Sequence, residues 1–389
     1  MPGPLAGIRV LDLTRVLAGP LAGQTLGDFG ADVIKVESAN GDDARAYGTS
    51  FVRDAGGART VESGFYLSAN RNKRSIRCDF SRAEGKARIL DLAGRCDVLL
   101  ENFRPGTLAR YGLGYDDVSQ ANPRVIYASL TGYGQDGPYA DRPGYDAIFQ
   151  AQSGWMSITG PAEGPWSKTG PSLVDVFTGH QLVAAVLAAL YHRDAKGGSG
   201  QHIDLALLDC AVAALSHVGS SYLLSKEPPQ RLGTAGNGGA PSDVFACADG
   251  HIFISSGRQA HFERLCLALG CPALAADPRF ADAQLRFTHR EALKAALQEI
   301  LRHRGRDEIV ALLSAEGVPV GSLNDLPALF ADPHVRQRGM VVTMPHALAG
   351  EVELLANPIR FSATPVEYRL PPPLLGEHGG EEEGADWLA

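Results

Sequence analysis

The sequence lacks the cysteine pattern of a metal site or a disulfide scaffold. Its six cysteines include no CxxC pair, and no cluster of cysteine and histidine has zinc-like spacing. They are Cys78, Cys96, Cys210, Cys247, Cys266 and Cys271. We therefore expect reduced and mostly buried thiols, as is usual in the cytoplasm.

Basic residues are also fewer than acidic ones. The 389 residues contain 36 Lys and Arg against 44 Asp and Glu, a formal net charge of -8. No basic run is present, so we expect neither nucleic acid nor an anionic membrane surface as a partner. The start, MPGPLAGIRVLDLTRVLAGP, has no basic region and no long apolar run, which argues against a signal peptide or a membrane span. We predict a cytoplasmic protein that binds small molecules.

Several common enzyme motifs are missing. The turn after the first strand-like run, RVLAGPLAGQTLGDFG, is rich in glycine but lacks the GxGxxG spacing of dinucleotide-binding proteins. Glu37 ends the second strand-like run, where such proteins place a ribose-binding acid, but without the glycine loop this is a weak signal. The motifs GxSxG, GxxxxGK[ST] and HExxH are absent, which removes the commonest hydrolase, NTPase and zinc-protease interpretations.

What the first 130 residues do contain is an alternation of short β-branched runs with helical patterns. The runs are IRVLDLT (8–14), ADVIKVE (31–37), CDVLLENF (96–103) and RVIYASLTGYG (124–134). The helical patterns between them include LAGQTLGDFG and AEGKARILDLAGRC. This alternation predicts an α/β fold with a parallel sheet and crossover helices.

The pattern of predicted strands and helices changes after residue 220. A strand QHIDLAL and one helix over LDCAVAALSHVGSSYLL lead into the breaker-rich loop SKEPPQRLGTAGNGGAPSD. A hairpin with Asp249-Gly250 at its turn follows, and then helices over 258–269, 290–303 and 306–316. We predict a large domain over 1–220, rejoined by 331–389, and a linker with a smaller α+β domain over 221–330.

One acidic residue stands apart, Asp175 in GPSLVDVFTGHQLVAAVLAALYHR (170–193). Apolar residues at helical spacing follow it, so it lies near a helix start. There the helix dipole stabilises a carboxylate, which is a common structural role. The same physics would keep its pKa low and the group ionised, as a carboxylate nucleophile requires. The spacing alone does not choose between these roles.

Several stretches together resemble the family III CoA-transferases, the group of formyl-CoA transferase, the carnitine CoA-transferases and the α-methylacyl-CoA racemases. The resemblance runs nearly end to end, and its most specific parts in combination are VLAGP, GADVIKVE, NKRSI and ENFRPG. It implies a Rossmann-like large domain and a smaller domain threaded through a partner in an interlocked homodimer. It also implies acyl-CoA and small carboxylates as substrates, with no permanently bound cofactor.

The resemblance assigns the catalytic role to Asp175, which matches the family's aspartate in the D-x-x-x-G segment, here DVFTG. A carboxylate that attacks a thioester forms a mixed anhydride, which retains the acyl activation. Because aspartate is a weaker base than a thiolate, binding of CoA and fixed dipoles must assist the first step. Water must be kept out while the anhydride exists.

The resemblance also implies a set of residues that contact CoA. They are Val16, Leu17, Ala18, Cys78, Asp79, Asn102, Phe103, Arg104 and Arg110, with Gly144 and Tyr145 at the acyl end. The two arginines are candidate phosphate partners, since guanidinium matches phosphate oxygens, although they could equally be solvated surface residues. Ser38 stands where formyl-CoA transferase has an arginine, so the resemblance does not supply that adenine or phosphate contact.

A glycine-rich loop that closes over the catalytic acid is a further family feature, matched here by GTAGNGGAPSD (233–243) with Gly236, Gly238 and Gly239. An interdomain linker is the alternative for this loop. Tyr47 lies near the family's gating tryptophan, in a loosely aligned region. His180, five residues after Asp175, is expected on the next helical turn, where it only tunes the site.

The family also contains a racemase, so membership does not fix the reaction. The racemases pair their aspartate with a histidine, whereas this chain has Tyr145 at that place in RPGYD, and a phenol is a poor base near neutral pH. We therefore predict a CoA-transferase that uses succinyl-CoA or another dicarboxylic acyl-CoA as donor and an organic carboxylate as acceptor. An α-methylacyl-CoA racemase and a non-catalytic CoA-binding protein are the alternatives.

Overall fold

A computed structural model gives the fold of residues 2–236, 238–379 and 386–387. The chain forms two compact units. The first contains the residues up to Trp155, then Thr169–Glu227 and the chain from Arg336 onward. The second contains Met156–Lys168 and Pro228–Val335.

The strands follow in chain order. They are β1 (Arg9–Asp12), β2 (Asp32–Glu37), β3 (Phe51–Arg53), β4 (Arg59–Ser63), β5 (Arg74–Arg77), β6 (Val98–Glu101), β7 (Ile126–Thr131), β8 (Gln201–Ala206), β9 (Ser242–Cys247), β10 (Gly250–Ser255), β11 (Val320–Ser322), β12 (Val341–His346) and β13 (Gly350–Leu355).

The α-helices are α1 (Ala18–Asp28), α2 (Gly64–Leu67), α3 (Ala83–Gly94), α4 (Thr107–Arg110), α5 (Tyr115–Ala121), α6 (Asp146–Gln152), α7 (Trp155–Ile158), α8 (Leu173–Ala195), α9 (Leu207–Ala213), α10 (Ser216–Ser225), α11 (Gln259–Ala268), α12 (Pro272–Ala275), α13 (Ala283–Thr288), α14 (Arg290–Leu301), α15 (Arg306–Ala315), α16 (Leu326–Ala331) and α17 (Pro333–Gln337). Short 3₁₀ turns cover Asp43–Ala46 and Pro278–Phe280.

A six-stranded sheet forms the centre of the first unit, in the order β5-β2-β1-β6-β7-β8, and every pairing in it is parallel. The chain adds strands outward from β1 on one side, then returns to β6 and adds strands on the other. The order therefore reverses between β1 and β6, the place where open α/β sheets bind ligands. The predicted α/β fold with a parallel sheet is confirmed.

Both faces of the large sheet are buried, which explains why the sequences of these strands are continuous apolar runs. Val10 and Leu11 are both fully buried, yet they pack into separate clusters because successive side chains of a strand point to opposite faces. The sequence pattern did not predict β5, whose residues RSIR are mostly polar. Its Arg74 pairs with Asp32 of β2 at 2.7 Å, so an ion pair serves there instead of an apolar contact.

Helix α8 begins at Leu173, about two turns before His180, where the apolar pattern that predicted it starts, and ends at Ala195. Its length and composition alone would let it cross a membrane. In this fold it is a core helix, since Val174, Leu182 and Val186 are fully buried in the cluster beneath the sheet.

The segment predicted as one helix over 208–224 forms two helices, α9 and α10, which are bent by 73° at their junction. Ser216, the first residue of α10, has a positive φ of 48°, which a straight helix does not allow.

The second unit holds a three-stranded sheet in the order β11-β10-β9, packed against helices around one apolar cluster. The predicted hairpin is present, with Gly250 paired to Cys247 at its closed end. The units differ from the predicted domain division chiefly in Met156–Lys168, which joins the second unit. Both boundaries also shift, since 221–227 belongs to the first unit and 331–335 to the second. Arg231 donates hydrogen bonds to the carbonyl oxygens of Pro161 and Gly164, which ties that segment to the chain that enters this unit.

Glu37 is turned into the protein and is not available to a ribose. Its carboxylate accepts hydrogen bonds from Arg45 at 2.7 and 2.9 Å and from Ser75 at 2.6 Å. Arg45 also pairs with Glu62 and is buried with both acids. The dinucleotide interpretation of Glu37 therefore has no support in the structure.

Candidate active site

A pocket of about 330 Å³ opens at the carboxyl edge of the large sheet, where the strand order reverses. The turns that follow β1, β6, β7 and β8 form its walls, because the ends of parallel strands meet at one edge. Its lining is Arg15, Val16, Leu17, Ala18, Asp43, Asn102, Phe103, Arg104, Pro105, Leu130, Thr131, Gly132, Ala140, Arg142, Pro143, Gly144, Tyr145, Asp175 and Leu207.

Asp175 lies in the first turn of α8 and faces this pocket. Its side chain is half-buried, and no described residue donates a hydrogen bond to its carboxylate. Gly179, one turn later, explains how the helix comes so close to the wall. A Cβ at residue 179 would lie 2.7 Å from the carbonyl oxygen of Ala18. The glycine of the DxxxG segment therefore lets α8 bring Asp175 beside the turn after β1.

The start of α8 is capped by a different acid, Asp146. Its Oδ2 accepts hydrogen bonds from the backbone N–H groups of Val174 at 2.8 Å and Asp175 at 3.2 Å. Its Oδ1 accepts one from Gln150 at 2.5 Å, which fixes the carboxylate in place. Asp146 thus takes the helix-end donors that the sequence pattern assigned to Asp175.

The expectation that Asp175 keeps a low pKa is wrong. Its removal from water, and secondly the negative charge of Asp146, raise the pKa of Asp175 to about 7. The sequence placed the acid correctly near a helix start but did not show that another carboxylate occupies the amides. A raised pKa makes the ionised carboxylate more basic and so a stronger nucleophile.

Tyr145 stands at the mouth of the pocket, with 64% of its surface exposed. Tyr47 lies next to it, and burial, followed by this neighbour, raises the pKa of Tyr47. The structure thus brings Tyr47 to the edge of the candidate site. His180 is exposed on α8 and does not line the pocket.

Gly144 and Gly132 shape the pocket floor. A Cβ at residue 144 would lie 2.3 Å from the ring of Phe149, and one at residue 132 would lie 2.9 Å from it. Phe149 is fully buried, so both glycines are needed for it to pack under the pocket. Gly144 therefore contributes space and backbone, not a side-chain contact.

The turn after β1 supplies Val16, Leu17 and Ala18, and the turn after β6 supplies Asn102, Phe103 and Arg104. The structure brings these six predicted residues into one pocket with Asp175. Asn102 uses both ends of its amide on Arg15, so its contacts are with protein backbone. Val16 has a positive φ of 72°.

Three predicted residues lie away from this pocket. Cys78 is buried in one of the two apolar clusters that flank the sheet and does not line the pocket, and its thiol donates to the carbonyl oxygen of Gly85 at 3.4 Å. Asp79 follows the edge strand β5 and accepts hydrogen bonds from Ser81. Arg110 is exposed in the last turn of α4 and contacts Thr107. Any contact that these residues make with a ligand is with a part of it outside the pocket.

The predicted lid glycines belong to the second unit. The N–H of Gly236 donates to the carbonyl oxygen of Ser242 at 2.8 Å, and Gly239 has a φ of 143° that favours glycine. A Cβ at residue 238 would meet no neighbour. Residue 237, between them, lies outside the described residues, and closure of this loop over Asp175 stays a prediction.

Sequence reasoning missed four residues that bear on the site. Asp146 caps α8, while Arg15, Asp43 and Arg142 line the pocket. Arg142 stacks on Tyr139, with its guanidinium carbon 3.7 Å from the ring centroid. Arg142 and Asp146 are the first and last residues of the RPGYD segment, and that motif was the one available signal. Across residues 2–236, 238–379 and 386–387, no group of three or more His, Cys, Asp and Glu side chains could hold a metal ion.

Known proteins resemble this chain over nearly its whole length. The profile of CoA-transferase family III matches residues 5–379. A protein named succinate–glutarate CoA-transferase from Agrobacterium fabrum is 44% identical over 377 residues, which cover 96% of this chain and 94% of that protein. Human succinyl-CoA:glutarate CoA-transferase is 40% identical over 96% of this chain and 84% of its own length.

Among solved structures, a CAIB/BAIF family protein from Brucella suis is 41% identical and superimposes with a TM-score of 0.87. The superposition covers 97% of this chain and 98% of that one.

Proposed function

The chain belongs to the family III CoA-transferases, and on that premise we propose that Asp175 is the nucleophile that carries the transferred group. The enzyme is a CoA-transferase, and its substrates are CoA thioesters and carboxylates. The observation that carries the assignment is the Asp175 carboxylate itself, which faces the pocket with no hydrogen-bond donor among the described residues. A carboxylate held in this way is free to attack.

The proposed reaction begins when an Asp175 oxygen attacks the thioester carbonyl carbon of the donor. The C–S bond breaks, CoA leaves as a thiolate, and an anhydride joins Asp175 to the acyl group. The thiolate then attacks the aspartyl carbonyl carbon, which releases the donor acid as a carboxylate and leaves CoA on Asp175 as a thioester. An acceptor carboxylate reverses these two steps, so no net proton is gained or lost.

The raised pKa of Asp175 assists the first step. Displacement of a thiolate of pKa about 8.5 by a carboxylate is unfavourable in free energy, because the carboxylate is the weaker base. With the pKa of Asp175 at about 7, the difference in basicity is smaller than for an ordinary aspartate. Asp146 therefore serves the chemistry in two ways, since it fixes the start of α8 and adds a like charge beside the nucleophile.

We propose succinyl-CoA, or another dicarboxylic acyl-CoA, as the donor and a dicarboxylate such as glutarate as the acceptor. The names of the relatives support this choice, and so do the three arginines of the pocket, Arg15, Arg104 and Arg142. Arg142 precedes Tyr145 by three residues, and no described acid forms an ion pair with it. Its planar fork suits the second carboxylate of such a substrate.

The substrate assignment is tested with two donors that differ only at the far end. Succinyl-CoA and butyryl-CoA have equal chain length, so the ratio of their kcat/KM values reports recognition of the distal carboxylate. We expect Arg142→Gln to lower that ratio at least tenfold. Arg110→Gln removes an exposed arginine outside the pocket and serves as the matched control. An unchanged ratio in Arg142→Gln would refute the role of this residue.

The nucleophile is tested by incubating the enzyme with acyl-CoA, quenching the reaction and mapping covalent adducts by peptide mass. We expect the adduct on the peptide that contains Asp175 and its loss in Asp175→Ala. Transfer near the wild-type rate by Asp175→Ala would refute the assignment. Deuterium wash-in at the α-carbon of a 2-methylacyl-CoA, without acceptor acid, tests the racemase alternative, and we expect no exchange.

The finer features of the family complete the proposal. They are an interlocked homodimer in the cytoplasm, CoA as substrate only, and closure of the Gly236–Gly239 loop during the reaction. The neighbouring residues Leu223 and Leu224 of α10 are 66% and 87% exposed, and an apolar pair of this kind suits a protein interface. Light scattering after gel filtration gives the oligomeric state, and a monomeric active enzyme would refute the dimer.

A further inference from the structure

The turn after β1 holds a valine in a conformation that valine rarely adopts. Val16 has a φ of 72°, in the left-handed region where a β-branched side chain is strained. Such strain persists only where the surroundings enforce it, and it concentrates at functional sites. Val16 lines the pocket that contains Asp175. Some part of the fold must therefore hold this turn against its own preference.

Asn102 holds the turn from one side. Its Oδ1 accepts a hydrogen bond from the N–H of Arg15 at 2.9 Å, and its Nδ2 donates to the carbonyl oxygen of Arg15 at 2.8 Å. Both backbone groups of the residue before Val16 are therefore bound by one side chain. The pair of bonds also joins the turn after β1 to the turn after β6.

Asp42 and Lys35 hold the turn from the other side. The N–H of Val16 donates to Oδ1 of Asp42 at 3.0 Å. Lys35 Nζ donates to Oδ2 of Asp42 at 2.8 Å and to the carbonyl oxygen of Thr14 at 2.9 Å. The side chains of this ion pair are completely buried. A buried pair adds little net stability after desolvation, so a positional role explains it better.

We propose that Asn102, Asp42 and Lys35 form a clamp that holds Val16 in its strained conformation, and that this conformation is the one that accepts acyl-CoA. They are positioning residues, since their polar atoms bind the protein backbone and each other. For Asn102 this replaces the direct CoA contact that the family resemblance implied. The inference rests on the proposed use of the pocket by acyl-CoA.

A double-mutant cycle between Asn102 and Val16 tests the clamp. Glycine adopts positive φ without strain, so the turn needs its clamp far less once residue 16 is glycine. We expect Asn102→Ala to raise the KM for acyl-CoA about tenfold with a smaller change in kcat. In the Val16→Gly background the same substitution should raise KM no more than about threefold. Because both members of each comparison share the same residue 16, the cycle cancels the direct effect of removing the valine side chain.

Equal increases in KM in both backgrounds would overturn the clamp, because they would mean that Asn102 acts on the ligand directly. Asn122→Ala is the matched control, because Asn122 is also a half-buried amide with two hydrogen bonds to the backbone. It donates to the carbonyl oxygens of Ala93 and Cys96, away from the pocket. We expect Asn122→Ala to leave KM unchanged. If Asn102→Ala lowers the melting temperature so far that the variant cannot be assayed, Asn102→Asp takes its place. It keeps the acceptor for the N–H of Arg15, loses the donor to the carbonyl oxygen of Arg15, and should show the same coupling.

Mapping the Asp175 adduct in all four proteins of the cycle separates this inference from the proposed function. If the wild-type enzyme forms no adduct on Asp175, the proposed function fails. If the wild-type adduct forms while the two backgrounds respond equally, only the clamp fails.

Discussion

The raised pKa of Asp175 makes a prediction about stability that can be measured without any substrate. The native protein binds the Asp175 proton more tightly than the unfolded chain does, since the pKa rises from 3.8 to about 7 on folding. The wild-type protein therefore loses stability as the pH rises from about 4 through 7, and the loss is complete above 7. Asparagine cannot ionise, so Asp175→Asn should escape this loss.

The magnitude follows from the size of the difference in pKa. About three pKa units correspond to roughly 4 kcal/mol at about 1.4 kcal/mol each. Water in the open pocket solvates part of the charge, so we expect Asp175→Asn to exceed the wild type by about 2–4 kcal/mol near pH 8.5. Near pH 4 the acid is protonated in the native state and about 40% protonated in the unfolded state, so the two proteins should differ by less than about 1 kcal/mol.

The assay is urea denaturation of both proteins at about pH 4, 7 and 8.5, with the free energy of unfolding compared at each pH. Asp194→Asn gives a control of opposite sign. Hydrogen bonds from Arg193, together with the charge of Arg124, lower the pKa of Asp194, so its loss should destabilise the protein at high pH. A stability difference for Asp175→Asn that does not change with pH, or that favours the wild type at pH 8.5, would refute the reasoning.

Further predictions concern the surroundings of the acid and the second unit. The acidic limb of the kcat/KM profile should lie near pH 7 and move to lower pH in Asp146→Asn, because a like charge is removed; an unmoved limb in a pH titration would contradict this. Gly179→Ala should lower the free energy of unfolding by about 1–3 kcal/mol and reduce kcat, since its methyl group meets the Ala18 carbonyl, and wild-type values for both would show that the close approach is unimportant. Arg286 is fully buried and donates to three backbone carbonyls, so Arg286→Met should lower the melting temperature of the second unit in calorimetry. Arg290→Met is the control, because Arg290 is partly exposed, and it should not lower that temperature. Equal melting curves for the two variants would argue against a stabilising role of Arg286.

The sequence predicted the parts of the fold that depend on local pattern. The β-branched runs located β1, β2, β6 and β7, because strands buried on both faces must be apolar throughout. It did not predict β5, whose polar residues pair with partners far away in the chain. The Asp249-Gly250 hairpin was predictable because its turn chemistry is local.

The candidate site was predictable to the extent that motifs mark it. Family motifs pointed to Asp175 and to the turns that hold Val16 and Asn102, and the structure brings these into one pocket. The role of Asp146 could not be predicted, since its contact with the start of α8 spans 28 residues and depends on how α6 packs. The pKa of Asp175 was mispredicted for the same reason, because burial and a second charge outweigh a helix end that is already occupied.

The contact between Gly179 and Ala18 has a consequence for the order of movements during turnover. It packs the start of α8 directly against the backbone beside the turn after β1, so Asp175, the proposed nucleophile, should move little relative to that wall of the pocket. The movements between half-reactions would then be those of the substrates and of the proposed lid over 233–243. The small acids would exchange by diffusion while the sulfur of CoA stays within reach of the aspartyl carbon. This wall of the pocket would act as a fixed support for Asp175, and turnover would be limited by how fast one carboxylic acid replaces another.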